Sequence, residues 1–341
     1  MGFGGNEMIK ICLFKKAGVL LMIILLVFST SSLAANTTIQ KTATNVKNSV
    51  VMMSSTWIVP DDFPTIQKAI DHANPGDTIY VRTGIYFENV LVNKSIFLIG
   101  EDKDTTFING KNYKFTMNIT ADNVTVSGFT IMYGGYGIHI FHSSYNTIIN
   151  NILTDNNGDA SNPGGICLSY AEHNVIENNV VKNNDWFGIR LVYSSANTVS
   201  GNKVSGNFEG IELDFSSDNI ITGNEIRRNE DCGIGLYKSN NNTIGGYEWN
   251  LKNQLYYNDF GICILWCKYY RTTLKKFNIF TGNRINIFGA LPGFQSKPRV
   301  NPSSSIQSNP SPNQQQIIQQ SNQLIRNFIY NIILRRLTTN R

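Results

Sequence analysis

One tetrapeptide pattern, Gly-Ile-x-Leu/Ile, recurs six times and constrains this chain more than any other feature. It begins at Gly137, Gly165, Gly188, Gly210, Gly233 and Gly261, at intervals of 22 to 28 residues. Self-similarity at that period is the mark of a solenoid, in which each repeat buries its apolar face only by stacking on the next. Nine residues after each of the first five glycines stands an asparagine: Asn146, Asn174, Asn197, Asn219 and Asn242. A second series follows five residues on, Asn151, Asn179, Asn202 and Asn224, and a third five beyond that, Asn156, Asn184, Asn207 and Asn229. The chain holds 44 asparagines in 341 residues, and the spacing of these three series turns that excess into turns rather than helices.

Between the asparagines lie apolar pieces too short for helices. Ile211 and Leu213, then Ile221, then Ile226 alternate with polar residues, which is the period of an extended strand with one buried side. Three strands per repeat, each ended by a residue that tolerates left-handed backbone angles, make one triangular coil. Coils stacked about 4.8 Å apart put identical residues in register. The Ile and Leu ladders then fill a continuous core, and the Asn ladders can hydrogen-bond along the turns. The expected fold is an all-β, single-stranded parallel β-helix.

A stack of coils has open ends that need covering. Residues 61–76 (DDFPTIQKAIDHANPG) read as an N-terminal capping helix: Pro64 suits its first turn, Ile66, Ala69, Ile70 and Ala73 share one face, and Asn74-Pro75-Gly76 stops it. Coils blur after Gly261. Residues 291–315 read as a Pro/Ser/Gln/Asn linker, and residues 316–341 as an amphipathic basic segment carrying Arg326, Arg335 and Arg336. That segment is expected either to fold back over the open end or to lie on a membrane surface or partner.

At the other terminus, Lys10, Lys15 and Lys16 precede the uncharged run Ala17–Phe28, and small residues follow. Residues 1–34 read as a secretory signal cut after Ala34 or Ala35, with an uncleaved anchor as the alternative. Residues 35–55 read as a flexible spacer, and residues 56–290 as the β-helix. The expected location is outside the cytoplasm: extracellular, cell-surface or periplasmic. Charge is informative once the ends are set aside, because residues 35–294 hold about 20 basic and 23 acidic side chains. That near-neutral body excludes a nucleic-acid-binding domain, which needs a concentrated basic face.

The entry segment WIVPDDFPTIQKAIDHANPGDTIYVRTGIYFENVLVNKSIFLIGEDKDTTFING, followed by repeats such as GIELDFSSDNIITGNEIRRN, resembles the right-handed parallel β-helix proteins of the NosD-like, pectin-lyase-like class. The resemblance spans roughly residues 56 to 290. It implies a right-handed solenoid and a class that includes carbohydrate-binding proteins and sugar hydrolases. Function sits on the surface of such a scaffold, so activity needs its own evidence. The sequence departs from the tighter signatures of the class's polysaccharide enzymes: it has no Gly-His-Gly, no Asp-Pro-His and no Asp-rich calcium cluster.

In each Gly-Ile-x-Leu strand, the x and the residue after Leu are expected to point outward. One face therefore carries His139, Cys167, Arg190, Glu212, Gly235 and Cys263, with Asp214 and Tyr237 beside them. Glu212 and Asp214 are two residues apart on one strand, about 6.6 Å between backbones, near the carboxylate separation of inverting glycosidases. Arg190 is expected directly beneath Glu212. Trp186, Tyr237 and His139 are the candidate substrate-binding residues, and Glu212, Asp214 and Arg190 the catalytic candidates. The competing reading makes Arg190 and Glu212 a surface ion pair and leaves Asp214 solvated.

No resident cofactor is expected. Copper(I) wants clustered Cys, Met or His, but Cys167 and Cys263 share a ladder about 19 Å apart, too far to share a metal. Cys232, Cys263 and Cys267 lie nearer one another and read as buried small hydrophobes with at most one disulfide. The segment DNNGD at Asp155–Asp159 has calcium-type ligands but reads as an inserted turn. The function expected is binding of polysaccharide or another surface polymer on the solenoid face. The alternatives are a polysaccharide lyase, hydrolase or epimerase, a NosD-like accessory protein of a copper enzyme, and a protein-binding scaffold.

Overall fold

The structure is a computed structural model that describes residues 54–156, 164–267 and 277–289. The signal-like segment, most of the spacer, the linker, the basic C-terminal segment and most of DNNGD lie outside the described residues.

The described chain is a parallel β-solenoid of nine coils. Each of its three faces is a nine-stranded parallel sheet, and successive strands of one coil go to successive sheets. The Gly-Ile-x-Leu motifs all fall in one sheet, in strands Tyr136–Phe141, Gly164–Ser169, Phe187–Val192, Glu209–Asp214, Cys232–Tyr237 and Phe260–Leu265. Their register is the one the repeat dictates: Ile138, Ile166, Ile189, Ile211, Ile234 and Ile262 stand directly above one another. These six side chains have no solvent exposure, so their column forms one wall of a continuous core. Stacking is thus driven by apolar area removed from water at every coil.

The three Asn series line the inside of the three corners of the coil. In the first, the backbone N–H of Asn146 donates to Asn174 Oδ1, Asn174 to Asn197, Asn197 to Asn219 and Asn219 to Asn242, at 2.8 to 2.9 Å. Each side-chain amide meanwhile donates to backbone carbonyls, as Asn197 Nδ2 does to Ala171 and Ser195. The ladder asparagines are buried, so these bonds satisfy turn backbone that no water reaches. The left-handed residue of each corner is a separate one, immediately before the ladder position: His173, Ala196 and Asp218 have φ of 56°, 57° and 59°. Sequence reasoning had merged the two roles. The second and third ladders also run further than the motif, into Asn253 and Asn278 and into Asn258 and Asn283. Regular coils therefore continue past Gly261 to strand Ile285–Phe288.

The motif glycine marks a bend. A Cβ at Gly210 would overlap the carbonyl oxygen of Gly233 and lie 2.8 Å from Ile226 Cγ2. Gly210 and Ile211 thus both turn inward, and alternation breaks between them. The residue before each glycine faces out, where strict alternation would have turned it in.

At the N-terminal end, helix Ile66–His72 buries Ile66, Ala69 and Ile70, and Ala73 is also buried, as the pattern predicts. Thr65 is its N-cap, accepting from the Lys68 N–H. Pro64 therefore precedes the cap instead of sitting in the first turn. The Glu88 carboxylate accepts the Ile66 and Gln67 N–H groups at 3.0 Å each, which ties the helix to the next coil. Among the described residues, no helix is long and apolar enough to cross a membrane.

Candidate functional site

The outer face of the Gly-Ile sheet holds two clusters, one about strands Phe115–Ile119 to Gly164–Ser169 and one from strand Phe187–Val192 to strand Phe260–Leu265. Toward the C-terminal end, strand Glu209–Asp214 carries three carboxylates. Arg190 pairs with Glu212 in register, as expected, with its Nε 2.7 Å from Glu212 Oε2 and an Nη 3.7 Å from Asp214 Oδ2. The guanidinium also lies 4.5 Å over the Phe187 ring. The environment differs from the solvated ladder read from sequence, because Glu212 is only 3% exposed and Asp214 9%. Buried charges must be paired closely or neutralised. Arg190 meets that demand: burial pulls its pKa down, but Glu212 and further acids outweigh burial and raise it.

Glu209 was not a candidate, because strict alternation turned it inward. The bend at Gly210 aims it outward, where the Tyr237 hydroxyl donates to its Oε1 at 3.4 Å. Burial, then the nearby Glu212 charge, raises its pKa well above the usual carboxylate range. The cluster thus joins a carboxyl that favours its protonated form to an ion-paired Glu212. The presence of a Gly-Ile bend was the available signal. Tyr237 itself is buried, its phenol pKa raised first by burial and then by Glu209, so its ring offers no open face. Trp186 is half-buried and packs edge-on against Phe208, 5.3 Å between centroids.

Next in the chain, Cys232 and Cys263 form a disulfide between adjacent strands, Cα atoms 6.0 Å apart, while Cys167 and Cys267 are buried free thiols. The reading of at most one bridge holds, and these two cysteines are not simple hydrophobes. Tyr237, Phe260, Leu265 and Phe288 pack with them in a second apolar cluster outside the coil interior.

Toward the N-terminal end the same ladder turns neutral and half-open. His139 stacks on Phe115, 4.8 Å between centroids and 5° from parallel, with Tyr136 and Phe141 each 5.4 Å away. Its Nδ1 lies 3.1 Å from Asn118 Oδ1 and its Nε2 3.1 Å from Ser169 Oγ. Burial, helped by the Lys114 charge, lowers its pKa to about 4. His139 is therefore a neutral imidazole at neutral pH.

A third feature runs along the corner that follows this sheet. His142, Tyr170, Tyr193, Phe215, Lys238 and Trp266 occupy one turn position on six successive coils, all with φ between 48° and 57°. The rings of the first four stack face to face at 4.8 to 5.2 Å, and Lys238 Nζ lies 4.6 Å from the Phe215 centroid. Tyr170 and Trp266 are each more than half exposed. These six positions share no single residue type, so the repeat pattern does not mark them.

The chain is 35% identical over 191 residues to a "Cell surface glycoprotein" of Methanothermus fervidus, an alignment that covers 54% of this chain and 29% of that protein. This chain thus matches less than a third of that relative's length. Pectate lyase Pel9A superposes at a TM-score of 0.44 with 14% identity, covering 64% of this chain and 78% of that one. The A-module of a mannuronan C-5 epimerase from Azotobacter vinelandii gives 0.35 and 15%, covering 67% and 93%.

Residues 70–289 match the model of NosD, described as a periplasmic copper-binding protein. Among the described residues, no three or more His, Cys, Asp and Glu side chains gather in a group that could hold a metal ion. Two of the cysteines are bonded to each other, and both ring nitrogens of His139 are engaged by Asn118 and Ser169. The described residues do not fit a copper(I) site, which needs several soft ligands converging on one point. The family match spans well over half of the 341 residues and coincides with the stacked coils described above: the chain belongs to the NosD family.

Proposed function

We propose that this protein is exported and binds a polysaccharide or another surface polymer along the axis of its solenoid. The observation that carries the reading is the exposed column from His142 to Trp266, aromatic at five of its six positions and interrupted by Lys238. It spans six coils, about 24 Å at the stacking distance. Left-handed backbone costs a bulky residue about 1–2 kcal/mol, and glycine or asparagine would occupy those turns more cheaply. Placing aromatic rings there presents the same amphipathic edge, with the hydroxyls of Tyr170 and Tyr193, to anything lying along the corner. A polymer matches such a surface because it too repeats along its length. Aromatic bodies with polar tips suit ligands that are apolar on one side and hydroxylated on the other.

Export is supported by the charged and apolar N-terminal pattern, by the disulfide between Cys232 and Cys263, by the periplasmic setting of the NosD family and by the likeness to a cell surface glycoprotein. The test is co-sedimentation of residues 56–341 with acidic and neutral polysaccharides, together with assay of newly released reducing or unsaturated ends. Saturable binding that weakens at least tenfold in Tyr170→Ala/Tyr193→Ala supports the reading. Equal binding by that variant, or none by the parent, sinks it.

A second reading, a polysaccharide lyase, hydrolase or epimerase, is favoured by the Glu209–Glu212 pair, in which a protonated carboxyl stands beside an ion-paired one. Release of ends that disappears in Glu212→Gln would select it.

A further inference from the structure

The half-open cluster at the N-terminal end has the connectivity of a nucleophile, a base and an orienting group. Asn118, His139 and Ser169 come from three successive strands of one sheet, Phe115–Ile119, Tyr136–Phe141 and Gly164–Ser169. Stacking the coils places Asn118 and Cys167 on either side of His139, and Ser169 one diagonal step away. Asn118 Oδ1 is a pure acceptor, so the imidazole proton sits on Nδ1 and the lone pair on Nε2. That lone pair faces Ser169 Oγ at 3.1 Å, within reach for general-base work. Phe115 stacks flat against the imidazole and fixes its plane.

We propose that Ser169, His139 and Asn118 form an acyl-transfer site whose substrates are carboxylic esters. Ser169 Oγ attacks the ester carbonyl carbon while its proton passes to His139 Nε2. The tetrahedral adduct collapses, the ester C–O bond breaks, and the departing alkoxide takes that proton from His139. Solvent water then gives a proton to Nε2 and its oxygen attacks the acyl carbon. Collapse releases a carboxylic acid, and Ser169 Oγ recovers the proton. Asn118 positions the ring in the required tautomer. The Lys114 ammonium, 5.1 Å from the Phe115 centroid, is a cation beside the cluster whose charge disfavours the protonated ring of His139. Phe141, 40% exposed, and the half-buried Tyr136 flank the opening and offer apolar contact for an acyl or sugar group.

The low basicity of His139 has a kinetic signature. Its proton-accepting form is fully populated above about pH 5, because its pKa is near 4. Activity therefore reaches its plateau about two and a half pH units earlier than an ordinary histidine base allows.

The experiment is labelling of the full chain with a fluorophosphonate, followed by peptide mass spectrometry and by hydrolysis of p-nitrophenyl acetate. The expected result is an adduct on Ser169 and ester hydrolysis that levels off above about pH 5. Ser169→Ala removes both, and His139→Phe, which keeps the stack on Phe115, slows both by about 100-fold or more. Asn118→Ala slows hydrolysis by a smaller factor. Cys167→Ala leaves the adduct in place, since the thiol, 3.6 Å from Ser169 Oγ, is only a neighbour. Melting curves of each variant separate lost chemistry from lost fold. An adduct absent from Ser169 in the folded protein, or formed equally fast in folded His139→Phe, overturns the proposal.

Discussion

The two ends of the Gly-Ile sheet occupy the same ladders and differ in nearly every physical respect. Around His139 the face is half-open and aromatic, with Lys114 as its nearby cation. Around Glu212 it is buried, charged and braced by a disulfide. Both are built on parallel strands of one sheet with buried aliphatic residues turned inward, so the scaffold does not decide the chemistry. What differs is solvent: where water is excluded, Arg190 must answer the acids and Glu209 must hold its proton, whereas at the open end side chains need only satisfy one another.

The sharpest test of that contrast is Arg190→Ala. It strands Glu212 and Asp214 in a buried setting, and the expected cost in urea unfolding is about 3–5 kcal/mol. A loss below about 1 kcal/mol would return the cluster to the status of a surface pair.

The ends should also respond to pH in opposite directions. His139 has a folded pKa of about 4 against about 6.5 unfolded. It contributes stability above pH 6.5 that is lost as pH falls toward 4, about 3 kcal/mol in all. Glu209 is raised on folding, so its contribution is full below its unfolded pKa and is lost as pH rises through the folded one. Stability measured against pH should therefore flatten on the acid side in His139→Phe and on the alkaline side in Glu209→Gln. Identical profiles for both variants and the parent would remove the contrast.

Reduction sharpens it in another way. Opening Cys232–Cys263, 31 residues apart, costs about 3.5–4 kcal/mol by loop entropy. Hydrogen exchange should quicken in strands Cys232–Tyr237 and Phe260–Leu265 well before Tyr136–Phe141. The smallest effect is expected at the exposed corner. Phe215→Gly loses ring stacking, worth about 0.5–1.5 kcal/mol per pair, but relieves a left-handed backbone cost of similar size. Its net change in stability should stay under about 1 kcal/mol while polymer binding falls.

Much of this fold is legible before any coordinates. Ile211 and Leu213 repeat with Gly210 at a constant spacing, so register, core and the first Asn ladder follow from counting. Arg190 beneath Glu212 follows in the same way. Glu209 did not, because the two-residue period fails where Gly210 turns the chain. Nor did Asn118, whose strand Phe115–Ile119 carries no Gly-Ile motif to align it with His139.

The repeat alone dictates the coil, because a recurring residue in a stacked repeat meets its own counterpart and the apolar and amide ladders reinforce one another at every turn. Which unlike side chains meet across coils is settled by three-dimensional packing. Asn118 with His139 and Ser169, Cys232 with Cys263, and Glu209 with Tyr237 each depend on bend direction, coil length and local exclusion of water. None of these repeats along the chain, so periodicity carries no record of them.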